Sequence, residues 1–260
     1  MAKKRKIPVT EIIVSILAPV LLLVIWQISA QKGWVNKALL PAGSKIFDTA
    51  VGISETGKLP GHLLASLSRV VKGFLAGASL GIAIGTLMGF SKWVNHFLSS
   101  LVSLLRPIPM IAWIPIFILW MGIGELTKIS VITLGTFWPV LLNTIQGIRS
   151  VDNKLLEVAK VLKKKRKTIV LKVVFPAALP SIFTGLRLGM GAAWSCVVAA
   201  EMIAARQGIG FMITYARETA KPAEVFVGVF VIGLIGFFID VLLRRLESHL
   251  LKWNTAGVSK

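Results

Sequence analysis

The sequence predicts an all-α, polytopic membrane protein with six transmembrane helices, and three observations predict it. Hydrophobic residues make up 55% of the 260, with a mean hydropathy of +0.78. Charged residues are only 16%, where a soluble domain carries about a quarter. The apolar residues fall into runs close to the roughly 20 helical residues that cross a bilayer core of about 30 Å. The formal net charge is +19. Nucleic acid is one reading of such an excess. The cations gather at the ends of the apolar runs, however, as membrane topology requires, so no nucleic-acid partner is expected.

The predicted spans are Ile12–Ala30, Val70–Phe90, Pro107–Gly124 (with a start near Phe97), Ile129–Ile148, Ile182–Ala204 and Glu224–Leu243. In lipid a helix satisfies its own backbone groups, so each run is read as a helix despite its Gly and Pro residues. The basic start Lys3-Lys4-Arg5-Lys6 before the first run resembles a signal peptide. The run is long for a signal core, and Ile28 stands where a cut after Ala30 wants a small residue, so a retained helix is expected. With the N-terminus inside, the inner segments hold 18 Lys and Arg and the outer segments 8. Both termini are therefore expected to be cytoplasmic.

Residues 1–68 are read as an N-terminal tail, first helix and outer segment. Residues 69–246 are read as the core membrane domain with an inner loop at 149–176, and 247–260 as a cytoplasmic tail. The outer segment from Gln31 to Ser68 is too polar to cross. It carries turn signals at Leu40-Pro41 and at Gly57-Lys58-Leu59-Pro60-Gly61, and room for one short interfacial helix.

Gly73, Gly77, Gly81, Gly85 and Gly89 recur every four residues along the second span. That spacing keeps them on one helix face, where small residues admit a close neighbour. Packing inside one chain is favoured over a seam between two copies. The third span opens on Arg106-Pro107-Ile108-Pro109 and reaches Pro115. Three prolines so close must bend or break a helix, which membranes tolerate beside protein or a cavity. Two readings stand, a piece of the pathway or gate including Pro109, and a packing kink.

The inner loop is the most informative stretch. Asp152 or Asn153 suits an N-cap, and Leu155, Leu156, Ala159 and Leu162 form an apolar stripe. The basic run Lys163–Lys167 follows, then Phe175-Pro176-Ala177-Ala178-Leu179-Pro180, whose prolines are expected to stop one helix and start another.

Here the chain resembles the permeases of binding-protein-dependent ABC importers. Their cytoplasmic signature is Glu-Ala-Ala, three residues, Gly, nine residues, Ile, one residue, Leu-Pro. This chain has Glu157-Val158-Ala159, Lys163 at the Gly position, Val173 at the Ile position and Phe175-Pro176. Lys163 is a departure that bears on the sharp turn expected there. Arg106-Pro107-Ile108-Pro109, Trp113-Ile114-Pro115, Gly122-Ile123-Gly124-Glu125, Pro176-Ala177-Ala178-Leu179-Pro180 and Ala200-Glu201-Met202-Ile203 resemble the branch handling aliphatic sulfonates, taurine, nitrate or bicarbonate. That branch also includes permeases for vitamin precursors of the pyrimidine or riboflavin type.

The resemblance implies a type I importer fold in the inner membrane of a bacterial or archaeal cell. It implies a homodimer with two ATP-binding cassette ATPase subunits and one extracytoplasmic substrate-binding protein. The signature would form a coupling helix in an ATPase cleft, with Glu157 as a charged contact or cap and Leu156, Val158 and Ala159 as an apolar knob. A helix lying on the membrane is the other reading. For Lys163–Lys167, anionic lipid headgroups are favoured over the ATPase.

Ionisable groups at membrane depth are candidates for function. Arg106 is read either as meeting an anionic substrate or as pairing with a carboxylate, and Glu201 as holding a gate or meeting the binding protein. Arg187 and Asp240 are expected near the inner surface. Gln207-Gly208-Ile209-Gly210 is read as a flexible outer loop for a binding protein. No phosphate-binding Gly-x-x-x-x-Gly-Lys-Ser/Thr loop occurs, so ATP is expected to be hydrolysed by the partner and no cofactor to be bound by this chain. Three scattered histidines and one cysteine offer no metal site, and no nucleophile motif points to an enzyme. A membrane-embedded enzyme and a passive channel are the alternatives outside ATP-driven transport.

Overall fold

A computed structural model describes residues 9–36 and 39–251. The basic start at Lys3–Lys6, Lys37, and the tail from Lys252 through Lys260 lie outside the described residues. Every regular element among the described residues is helical. In order they are α1 (Val9–Gln31), α2 (Gly43–Glu55), α3 (Lys58–Phe90), α4 (Lys92–Leu105), α5 (Met110–Met121), α6 (Glu125–Arg149) and α7 (Asn153–Val161). There follow α8 (Arg166–Ile169), a π turn (Val170–Val174), α9 (Phe175–Ala204), α10 (Ile209–Glu218) and α11 (Pro222–Leu250).

Among the described residues, four continuous stretches are long and apolar enough to cross a membrane, namely α3, α6, α8 through α9, and α11. The α4–α5 pair qualifies as one broken span, bent by 99°. The break spans Arg106–Pro109, with Pro109 capping α5, whereas Pro115 is carried inside α5. Only the first of the proline clusters therefore interrupts the chain. α1 covers the first expected span.

Several boundaries differ from the expected ones. Lys58 through Gly61 do not form a turn. The turn sits at Thr56-Gly57, with Gly57 at φ +72°, and Pro60 falls in the first turn of α3, where its missing N–H would have no helical partner anyway. Pro176 and Pro180 do not separate two helices either. Helix runs on from Arg166 to Ala204, and the wider π turn just before Pro176 absorbs the ring.

The described residues form two compact units, one of residues before 61 with 212–230, the other of residues 61–211 with 231–251. In the first, Trp26 stacks on Phe230 with ring centroids 6.0 Å apart, and Gln27 bonds Ser44 at the start of α2. In the second, α6 is the most buried span. On one side it meets the glycine face of α3. A Cβ at Gly73 would stand 2.6 Å from Ile132, at Gly81 2.9 Å from Val140, at Gly85 2.8 Å from Thr144 and at Gly89 3.0 Å from Ile148, while one at Gly77 would strike Thr133 and Thr136. On the other side, Gly185 and Gly189 of α9 lie against Asn143 and Val140, and Gly135 and Gly147 of α6 lie against Cys196 and Ser181. The polar groups of α6 turn back on its own backbone, Thr136 to Ile132 at 2.9 Å and Thr144 to Val140 at 2.7 Å. A helix this polar is thus buried without orphaned hydroxyls at these positions.

Candidate functional site

The ends of α3, α6 and α9 converge on a cluster of ionised groups within the second unit. On α3, Ser66 and Arg69 stand three residues apart and share a face. The first turn of α6 gives Glu125 and Lys128 with the same spacing, and the last turn of α9 gives Glu201. The Arg69 guanidinium grips Glu125 through two parallel bonds, Nε to Oε2 at 2.7 Å and Nη2 to Oε1 at 2.8 Å. Its Nη1 donates to Glu201 Oε1 at 2.6 Å and to the Gln207 carbonyl at 2.6 Å. Lys128 Nζ meets Glu125 Oε1 at 2.6 Å. Such charge-assisted, bidentate pairs are the strong class of hydrogen bond.

Glu201 has no exposed side-chain surface. It also accepts from Ser66 Oγ at 2.8 Å and from the Gly210 backbone N–H at 3.0 Å. Ser66 in turn accepts from the Ile209 N–H at 3.0 Å, and the Gly208 N–H donates to His62 Nδ1 at 3.1 Å. Gly208 is required twice over. Its φ is +129°, and a Cβ there would run into the Glu201 carboxylate. Two cations and two anions balance inside the cluster, so the burial of Arg69, Lys128 and Glu201 is compensated.

Two sequence readings change here. Glu201 is buried within this chain and presents no surface to a partner protein there. Gln207–Gly210 is no flexible loop, because three of its N–H groups and one carbonyl are pinned to α3 and α9. Arg69, Ser66 and Lys128 were not foreseen. A lone arginine near the start of an apolar run reads as snorkelling, and its partners lie 56 and 132 residues away.

Farther along α9, Arg187 donates to Glu247 of α11 at 3.0 Å and stands 4.0 Å from Asp240, which pairs with Arg244 at 2.6 Å. Arg106 is exposed at the α4–α5 break and has no carboxylate partner among the described residues. Beyond the break, Met110, Ile111 and Ile114 of α5 face Ala192, Ser195 and Ala199 of α9 across an apolar recess of about 330 Å³.

α7 joins α6 to α8. Asp152 caps it, accepting from the Lys154 N–H at 2.9 Å. Leu156 and Ala159 turn inward, Leu156 onto a cluster with Ile148, Val174 and Ile182. Leu155, Val158, Val161 and Leu162 point out, 51–80% exposed, beside the exposed Glu157. The outward apolar surface is therefore not the one expected, since of Leu156, Val158 and Ala159 only Val158 belongs to it. The helix ends in a sharp reversal, with Lys163 at φ +49° and the Lys164 N–H reaching back to the Ala159 carbonyl at 3.2 Å. This is the left-handed C-terminal turn that glycine favours, made here by lysine. Val173 and Pro176, the remaining signature positions, are half-buried at the π turn and the start of α9.

Residues 77–252 match the family described as "Binding-protein-dependent transport system inner membrane component". Over 241 residues the chain is 42% identical to the "Putative aliphatic sulfonates transport permease protein SsuC" of Bacillus subtilis, covering 93% of this chain and 87% of that protein. It is 35% identical over 249 residues to the taurine transport system permease protein TauC of Escherichia coli, covering 94% and 90%. Among solved structures it is similar to an amino acid ABC transporter crystallised with histidines, with TM-score 0.62, 17% identity, and coverage of 78% of this chain and 96% of that one. The fold is that of a type I ABC importer permease, and the chain belongs to the family of binding-protein-dependent ABC transporter permeases, as a multi-pass transport subunit and not an enzyme.

Proposed function

We propose that two copies of this chain form the translocation path of an importer for a small oxyanion, an aliphatic sulfonate first and a nitrate-type anion second. An extracytoplasmic binding protein delivers the solute, and paired ATPase subunits supply the energy. Both termini and α7 lie on the cytoplasmic side of the inner membrane, and the Arg69–Glu201 cluster lies at the outer end. The exposed basic run Lys163–Lys167 rests against anionic lipid. The names of the two relatives support the sulfonate reading.

The observation that carries the coupling role is α7. It is a short helix, capped at both ends, joined to α6 by Ser150–Asp152 and seated on the bundle by Leu156 and Ala159. It offers an outward surface of Glu157 ringed by Leu155, Val158, Val161 and Leu162. A charge amid exposed apolar groups suits a protein cleft better than water.

The test is co-expression and co-purification with candidate ATP-binding cassette ATPases from the same source, followed by ATPase measurement in lipid nanodiscs with candidate binding proteins. A stable complex stimulated by a sulfonate-loaded binding protein is expected. A well-folded permease that joins no ATPase refutes the importer reading and leaves the passive channel.

A further inference from the structure

Beside the ion cluster lies a cleft of about 520 Å³, lined by Arg69, Glu125, Lys128, Arg206 and Gln207 with Ile123, Gly124 and Ala204. Arg69 and Lys128 are balanced by Glu125 and Glu201. Arg206 is exposed and has no ion pair among the described residues. The cleft therefore carries one uncompensated positive charge.

The members of the cluster also differ in how firmly they are held. The side chains of Arg69, Lys128 and Glu201 are 6%, 5% and 0% exposed, that of Glu125 59%. Glu201 is fixed by Ser66 and the Gly210 N–H as well as by Arg69. Glu125 is held only by the side chains of Arg69 and Lys128. It is the one ionised group of the four that can swing into solvent without breaking the frame. Behind it would remain the Nε–Nη2 edge of Arg69 and the Lys128 ammonium, a fork of donors shaped for a planar or tetrahedral oxyanion. Leaving those buried cations bare is costly, whereas exchanging one oxyanion for another is not. The volume suits a small organic anion.

We propose that this cleft is an anion site. Glu125 occupies it as a built-in carboxylate, and the oxyanion headgroup of the transported solute displaces it, drawn in by Arg206. The inference rests on the importer reading and adds the place where the charged end of the solute is first received.

The experiment titrates ethanesulfonate into the full-length permease in nanodiscs by calorimetry at fixed ionic strength. The isosteric neutral probe is ethyl methyl sulfone. Glu125→Gln removes the internal competitor and is expected to tighten ethanesulfonate about tenfold while leaving the sulfone unchanged. Adding Arg206→Gln is expected to reverse most of that gain. Unchanged ethanesulfonate affinity in Glu125→Gln, or an equal gain for the sulfone, overturns the proposal. Should Glu125→Gln fail to give monodisperse protein, Arg206→Gln alone decides. That exposed change is expected to weaken ethanesulfonate several-fold, and no change overturns the proposal. The titration is read on the permease whether or not an ATPase joins it. A complex that a loaded binding protein stimulates, but whose anion affinity ignores both substitutions, refutes the anion site and spares the importer reading.

Discussion

Gly85→Ala adds one methyl group to the seam between α3 and α6. Its Cβ would stand 2.8 Å from Thr144 Cβ and 2.9 Å from the Leu141 carbonyl oxygen. Carbon contacts are relaxed at about 3.5–4.0 Å, so the helices must part by about 1 Å at that level. Thr144 offers no easy escape, because its hydroxyl is bonded to the Val140 carbonyl at 2.7 Å, and the Leu141 carbonyl is backbone. Overpacking of this kind costs about 1–3 kcal/mol. Alanine in a helix interior returns about 0.5–1 kcal/mol over glycine. The net expectation is a loss of up to about 2.5 kcal/mol, and about 1–3 kcal/mol relative to the same substitution where it meets nothing. Gly233→Ala in α11, where nothing lies within 4 Å of the new methyl, is the control and keeps only the helix-forming gain. Thermal unfolding of both variants in nanodiscs reads the difference, at about 2–4 °C per kcal/mol for a chain of this size. If Gly85→Ala melts with Gly233→Ala or above it, the seam is looser than these distances require.

Other expectations follow from the same geometry. Gly81→Leu, a far larger wedge against Val140 and the Leu141 backbone, should lower the yield of assembled complex sharply; wild-type yield would show that this face does not pack. Glu157→Lys should leave insertion and thermal stability intact, since the side chain is exposed, but reduce transport-coupled ATPase stimulation at least tenfold; normal stimulation removes the coupling role. Glu201→Ala leaves Arg69 partly unpaired in a buried site and should cost about 3 kcal/mol, seen as a lower melting temperature; an unchanged melting temperature would mean that water compensates Arg69. Lys163→Gly relieves a left-handed residue and should stabilise the end of α7 by about 1 kcal/mol; hydrogen exchange at residues 159–164 that stays as fast as in the wild type contradicts this.

The spans were legible because bilayer thickness imposes a length and an apolarity that a single sequence displays. The glycine face of α3 was legible for a similar reason, since a repeat of four is a helix face whatever it packs against. Its neighbour was not, because α6 carries threonines and an asparagine and reads as the least apolar of the spans. The prolines misled at Pro60, Pro176 and Pro180, where a first turn, a π turn and a helix interior accommodate the missing donor. Only the doubled prolines after Arg106 broke the helix. The ion cluster was half legible. Glu201 was recognisable as a carboxylate at membrane depth, which demands a cation, but the choice of Arg69 depends on how distant segments fold together. Lys163 was visible as an oddity, and only the backbone shows that lysine takes the glycine conformation.

The double seam around α6 has a mechanical consequence. Ridges locked into glycine notches on two sides resist both sliding and rotation, so α3, α6 and α9 form a stiff plank. α7 hangs from one edge of that plank, three residues below α6. A force applied there has little slack to take up before it tips the whole plank. Compliance is expected where the helix is interrupted, at the Arg106–Pro109 break between α4 and α5.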